Sequence, residues 1–226
     1  MRSHGGGGAG SGAAVIVKVC GVRTAEVAEI AVDAGADWIG IVFEPRSPRH
    51  ASDSDARAVV AATRGRADVI GVFVEPNVDE CDQAAARYGL AGVQVHGSVD
   101  VTLAGACAVP VIRGYNVSDE RDALTIQWWP DCLVLIDAIP VTGELPGGTG
   151  RRLDRMWAAE VARHRPIVLA GGLGADDVAA AIAAVRPYGV DASSRLEHVR
   201  GEKDPGLVQA YVHAARAGFA ALNGDG

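Results

Sequence analysis

The run Val15-Ile16-Val17-Lys18-Val19-Cys20-Gly21-Val22-Arg23 passes from a β-branched strand pattern into a short turn. Thr24–Ala34 then carries helical spacing, and Trp38–Phe43 returns to the strand pattern. A strand, a turn, a helix and a second strand make the repeating unit of a parallel sheet. The turn decides between two architectures. An open doubly wound sheet usually places Gly-x-Gly-x-x-Gly here, with an acidic residue further on. Cys20-Gly21-Val22-Arg23 lacks that fingerprint.

The same alternation runs to the end of the chain. Further strands are expected at Val69–Val74, Gly92–Val95, Val109–Tyr115, Cys132–Ile136, Ile167–Ala170 and Tyr188–Asp191, with the first at Val15–Val19. Helices are expected at Ser52–Arg64, Asn77–Tyr88, Val99–Ala106, Ser118–Gln127, Arg152–His164, Asp176–Val185 and Pro205–Ala220. Thr24, Ser52 and Ser118 read as N-caps. Gly35, Gly65 and Gly89 read as helix-terminating glycines, and Pro187 blocks extension of the seventh helix. Eight strand–helix units, spaced about 28 residues apart, imply an α/β fold that closes into a single-domain (β/α)8 TIM barrel. The barrel is expected to span residues 14–222, preceded by a disordered glycine-rich tail at 1–13.

Composition supports this organisation. The chain has 226 residues, 49% of them hydrophobic, which suffices for one large core. Six of its 29 glycines lie in the first dozen residues, and the rest have no three-residue period, which excludes collagen. No apolar run approaches the ~18 residues of a membrane span, so no membrane partner is expected. A net charge of −7 without a basic block argues against nucleic acid. The arginines of Pro45-Arg46-Ser47-Pro48-Arg49 suit either a solvated loop or a small-anion site. The four cysteines include no Cys-x-x-Cys pair and no secretory signal is visible, so they are expected as thiols in a cytoplasmic protein.

Barrel active sites lie at the C-terminal strand ends. Reactive residues there are Cys20, Arg49, Gln94, His96, Arg113, Asp137, Asp191, Ser193 and Ser194. Side chains alternate along a strand, so Ile16, Lys18 and Cys20 share one face and Val15, Val17 and Val19 the other. The all-valine face suits the helix layer, which turns Lys18 and Cys20 into the barrel mouth. An ammonium beside a thiol favours the thiolate, making Cys20 a candidate proton acceptor; an inert buried cysteine is the alternative. Asp137 closes the apolar run Leu133-Val134-Leu135-Ile136. One-sided desolvation there would raise its pKa and suit a general acid, against the alternative of a capping or ion-paired carboxylate. Gly171-Gly172-Leu173-Gly174 after strand 7 and Ser193-Ser194 after strand 8 offer backbone N–H groups for a phosphate. Gly147-Gly148-Thr149-Gly150 is a further candidate, but it lacks the Lys-Ser/Thr ending of a P-loop. No His/Asp/Glu cluster calls for a metal around His96.

Taken in order, several stretches resemble the phosphoribosylanthranilate isomerase family of tryptophan biosynthesis. They include Val17-Lys18-Val19-Cys20-Gly21, Phe43-Glu44-Pro45-Arg46-Ser47-Pro48-Arg49, Gly71-Val72-Phe73-Val74 and Val93-Gln94-Val95-His96-Gly97. Leu135-Ile136-Asp137, Pro146-Gly147-Gly148-Thr149-Gly150, Leu169-Ala170-Gly171-Gly172-Leu173 and Val185-Arg186-Pro187-Tyr188-Gly189-Val190-Asp191 continue the match from about Val15 to Arg216. The resemblance implies an aldose–ketose isomerase that performs a cofactor-independent Amadori rearrangement of N-(5-phosphoribosyl)anthranilate. The product is 1-(2-carboxyphenylamino)-1-deoxyribulose 5-phosphate. It implies Asp137 as general acid and Cys20 as general base. Arg49 would pair with the anthranilate carboxylate, and Lys18, Gln94, His96 and Asp191 would complete the substrate site. The phosphate would lie against Gly148, Gly171, Gly172, Ser193, Ser194 and Arg195. Monomer and homodimer both stay open.

Two positions depart from the family. Ser193-Ser194-Arg195-Leu196-Glu197 has arginine where glycine is usual, and Glu44 stands where an aromatic is common. Arginine is strained at 195 if the position needs positive φ; otherwise it offers a charged phosphate contact. The related isomerase of histidine biosynthesis would be expected to use an aspartate on strand 1, against which Cys20 argues. A non-catalytic phosphosugar-binding protein is the other alternative, against which the retention of both Cys20 and Asp137 argues.

Overall fold

The computed structural model describes residues 15–117, 119–127, 132–137 and 155–224. Eight parallel strands close a barrel in sequence order: β1 (Ile16–Cys20), β2 (Trp38–Val42), β3 (Asp68–Val74), β4 (Gly92–His96), β5 (Val111–Asn116), β6 (Leu133–Asp137), β7 (Ile167–Leu169) and β8 (Gly189–Ala192). The alternating helices are α1 (Ala25–Asp33), α2 (Asp53–Thr63), α3 (Val78–Tyr88), α4 (Leu103–Ala106), α5 (Glu120–Gln127), α6 (Arg155–Ala162), α7 (Val178–Val185) and α8 (Pro205–Asn223). An antiparallel pair, β9 (Glu197–Val199) and β10 (Glu202–Lys203), is inserted between β8 and α8. No described helix is long and apolar enough to cross a membrane.

Local chemistry explains the helix starts. The Thr24 hydroxyl accepts from Val27 N–H at 3.3 Å. Ser52 and Asp55 form a reciprocal capping box on α2, as Asn77 and Glu80 do on α3. Asp204 caps α8 just before Pro205, whose missing N–H costs nothing in a first turn. The cap expected at Ser118 lies outside the described residues. α4 is shorter than the expected Val99–Ala106, because Asp100 binds the Thr102 hydroxyl and amide in a local turn instead of continuing a helix.

Strand parity builds two cores. Val17, Val19, Ile39, Ile41, Val69, Val134, Ile136, Ile167, Leu169 and Val190 face the helices. Trp38, Ile70, Ile112, Leu135, Val168 and Ala170, with Ile16 and Leu133 beside them, fill the barrel. Burying each large apolar side chain contributes roughly 1.5–3 kcal/mol. Register fixes which residues stand above that plug. Lys18 lies beside Trp38 on one side and Asp191 on the other, and Asn116 lies beside Asp137.

Candidate active site

Lys18 and Cys20 share the face of β1 that looks into the barrel, as the alternation predicts. Lys18 is fully buried, and its Nζ donates to Asp191 Oδ2 at 3.0 Å. Burial pulls the ammonium toward neutrality, but Asp191 and Cys20 outweigh it and raise its pKa above the ordinary value. The other Asp191 oxygen, Oδ1, is buried with no partner among the described residues. The thiol lies against a gap: a Cβ built on Gly40 would sit 2.9 Å from Cys20 Sγ and 3.2 Å from Lys18 Nζ. Only glycine leaves room there.

The expected pull of Lys18 toward the thiolate is present, but burial outweighs it in the resting thiol. Burial pushes the thiol above its ordinary pKa, and Asp191 adds to this. Lys18 and Lys203 oppose both without prevailing. Lys18 remains the strongest influence opposing burial, ahead of Asp191 and Lys203, but burial is larger.

On β4, Gln94 and His96 point inward, and Gln94 Nε2 lies 2.8 Å from His96 Nε2. The amide donates, so Nε2 is the acceptor and the ring proton sits on Nδ1. Burial, with Lys18 and Arg113 nearby, pushes the His96 pKa down to about 3, which keeps the imidazole neutral. A Cβ on Gly114 would meet the ring at 2.4 Å, so glycine on β5 is what lets the ring lie flat. Arg113, in contrast, shares parity with Val111 on the helix-facing side. Its Nη1 donates to Val95 O at 3.0 Å and to Gly114 O, so it binds β4 to β5 instead of facing the mouth.

Asp137 ends β6 on the inward face and is buried, with Asn116 beside it on β5. Cys20 and Asp137 therefore stand at the same rim, with β7 and β8 between their strands.

Arg49, in the loop after β2, is buried and forks onto Glu197 through Nε at 2.7 Å and Nη2 at 2.9 Å. Its Nη1 has no partner among the described residues and is not sealed from solvent. Glu197 also accepts from Gly201 N–H at 2.9 Å and from Lys203 Nζ. Burial alone would push the Glu197 carboxyl up, but these donors hold it below its ordinary value. Lys203 is buried too, with Nζ 3.4 Å from Ser193 Oγ. Sequence reasoning missed Glu197 and Lys203. Glu197 does close the run Ser193-Ser194-Arg195-Leu196-Glu197, with no role read from it; Lys203 has only its place after strand 8 as a signal.

The loops after β7 and β8 meet. Gly171 and Gly172 have φ of 88° and 68°, a backbone that glycine adopts freely. Ser193 Oγ donates to Cys20 O at 3.0 Å, so its side chain serves β1. Ser194 opens a 3-10 helix, Ser194–Leu196, and Arg195 inside it has no positive φ. The strain alternative at 195 therefore falls. Arg195 instead donates to Gly172 O at 3.1 Å and forks onto Asp176 at 2.6 and 2.7 Å, tying the two loops together. Gly148 and its neighbours lie outside the described residues.

An inward cysteine and aspartate over a loop pair rich in backbone donors suit proton transfer on a phosphorylated sugar. Comparisons with known proteins agree. The family model for N-(5'-phosphoribosyl)anthranilate isomerase matches residues 17–214. An N-(5'-phosphoribosyl)anthranilate isomerase of a Roseiflexus species is 44% identical over 212 residues, covering 89% of this chain and 97% of the relative. The solved phosphoribosyl anthranilate isomerase of Thermotoga maritima superposes with a TM-score of 0.82 at 32% identity, covering 90% of this chain and all of that one. Another solved isomerase, in complex with reduced 1-(o-carboxyphenylamino)-1-deoxyribulose 5-phosphate, gives 0.79 at 31% identity with the same coverage. By sequence, barrel topology and rim residues alike, the chain belongs to the N-(5'-phosphoribosyl)anthranilate isomerase family.

Proposed function

We infer that this chain catalyses the isomerisation of N-(5-phosphoribosyl)anthranilate to 1-(2-carboxyphenylamino)-1-deoxyribulose 5-phosphate, a step of tryptophan biosynthesis. The observation that carries the mechanism is the placement of Cys20 and Asp137 on inward faces of one rim.

Asp137 gives its proton to the ribose ring oxygen. The bond from that oxygen to C1 breaks, and the anthranilate nitrogen lone pair forms an iminium. Cys20 then takes the proton from C2, whose electrons quench the iminium to an enolamine, and tautomerisation gives the ketone. Sulfur must act as thiolate. Lys18 and Lys203 face it with positive charge, which favours that form when the resting thiol ionises. The neutral His96 with Gln94, and the free oxygen of Asp191, supply hydrogen-bonding partners for ribose hydroxyls. Arg49 receives the anthranilate carboxylate. Backbone N–H groups of Gly171, Gly172, Ser193, Ser194 and Arg195, with Gly148, receive the phosphate. Cysteines present as thiols and not as disulfides support a cytoplasmic setting.

The test is turnover by purified protein without added metal or nucleotide, followed by anthranilate fluorescence. Substrate conversion is expected, and well-folded protein with no turnover would overturn the reading.

A further inference from the structure

Three charges sit together beside the mouth: Arg49, Glu197 and Lys203, with side chains only 7%, 3% and 2% exposed. One carboxylate serves two cations, so the cluster holds one positive charge in excess. Lys18 and Asp191 next to it cancel each other. The Glu197 fork occupies two Arg49 nitrogens and fixes the plane of the guanidinium, leaving Nη1 without a partner among the described residues. If Glu197 paired with Arg49 alone, the pair would be neutral and would attract an anion weakly. Lys203 changes that balance by binding the same carboxylate from the hairpin side.

We propose that Glu197 and Lys203 are positioning residues that act through Arg49: Glu197 orients the guanidinium, and Lys203 restores the positive charge with which it receives the aromatic carboxylate of the substrate. This rests on the substrate assignment above. It gives the β9–β10 hairpin a function, since that insertion brings residue 203 back to residue 197. It also makes carboxylate selectivity depend on a residue that does not touch the carboxylate.

The experiment compares two stable ligands by calorimetry on the full chain. One is the reduced product analogue, 1-(o-carboxyphenylamino)-1-deoxyribulose 5-phosphate in reduced form; the other is the same compound lacking the ring carboxylate. Lys203→Met should weaken the first about tenfold, or ~1.4 kcal/mol, and leave the second within about twofold. Lys203→Arg, which keeps the charge, should restore the difference. Thermal melts establish that each variant is folded. If Lys203→Met does not fold, Lys203→Gln, which still hydrogen-bonds Glu197, carries the same expectation. Equal weakening of both ligands would show a merely structural lysine and overturn the proposal, as would an unchanged preference. A wild-type protein that binds neither ligand would instead overturn the substrate assignment itself.

Discussion

Lowering the pH from 7 to 5 should destabilise the folded chain by about 2 kcal/mol through His96 alone. The imidazole is held down to about 3 in the fold, against an ordinary value of 6.5. Between those values the unfolded chain binds a proton that the native state refuses. Stability therefore rises with pH across this window and falls as pH drops below the unfolded pKa, by about 1.4 kcal/mol per unit. pH 5 lies about 1.5 units inside the window, and the small fraction already protonated at pH 7 trims the total slightly. Asp191, whose carboxyl burial raises, contributes alike to the wild type and to a His96→Gln variant, and Glu44 and Glu197 do not confuse the measurement. Their folded values are lowered from an ordinary 4.5, so their contribution is complete above that value and is lost only as pH falls further. With a urea slope of roughly 2–3 kcal/mol/M for a chain of this size, the midpoint should drop by about 0.7–1 M. The same series on His96→Gln should lose that part of the pH dependence. The His96 ring proton, assigned in NMR spectra by its absence from the variant, should stay unshifted from pH 8 to 5. A midpoint near 6.5 for that resonance, or equal pH slopes in the two proteins, would refute the account of a sealed neutral imidazole.

Asp137→Asn and Cys20→Ala should each lower kcat by about 10²–10⁴ or more in the fluorescence assay, because each removes a proton-transfer group; near-full activity in either variant would place that role elsewhere. Cys20 alkylation by iodoacetamide, followed on its peptide by mass spectrometry, should still be accelerating above pH 9, since burial raises the thiol beyond that value; a plateau below pH 8 would contradict it. Arg195→Gly should cost less than about 1 kcal/mol in urea unfolding, as its ion pairs are partly exposed. It should also change the inhibition constant of inorganic phosphate, because Gly172 loses its tie to the loop after β8; an unchanged constant would exclude Arg195 from the phosphate site.

Position was legible in the sequence where one periodicity governed it. The alternation Ile16, Lys18, Cys20 against Val17 and Val19 is enough to turn a thiol inward, because strand side chains have no third direction. The same rule on β5 puts Arg113 outside, opposite Ile112 and Gly114. Lys203 was not legible, and Glu197 was legible as the end of a matching run but not as the partner of Arg49. A two-residue strand such as Glu202–Lys203 is too short for any periodicity, and a lysine on a short hairpin reads as solvated until the hairpin folds back. Arg195 was legible as a departure but not in its consequence, which depends on where Asp176 ends up.

Protonation was harder to read than position for a physical reason. The Lys18–Cys20 spacing gives the sign of one interaction correctly, yet the thiol's state is set by burial contributed by the whole barrel and by Asp191, more than 170 residues away in the chain. The structure instead arranges its charges in two groups. Lys18 and Asp191 cancel within the barrel, whereas Arg49, Glu197 and Lys203 keep one positive charge in excess. Arg195 is neutralised by Asp176 and Asp177 at the loops after β7 and β8. On the proposed function, the ring carboxylate meets the net charge of the Arg49 cluster, and the phosphate meets the backbone N–H groups of the loops after β7 and β8, with Lys203 Nζ 3.4 Å from Ser193 Oγ beside them. Asp176 and Asp177 pair with Arg195, so the arginine that stands where the family usually has glycine brings no unpaired charge to the proposed phosphate site.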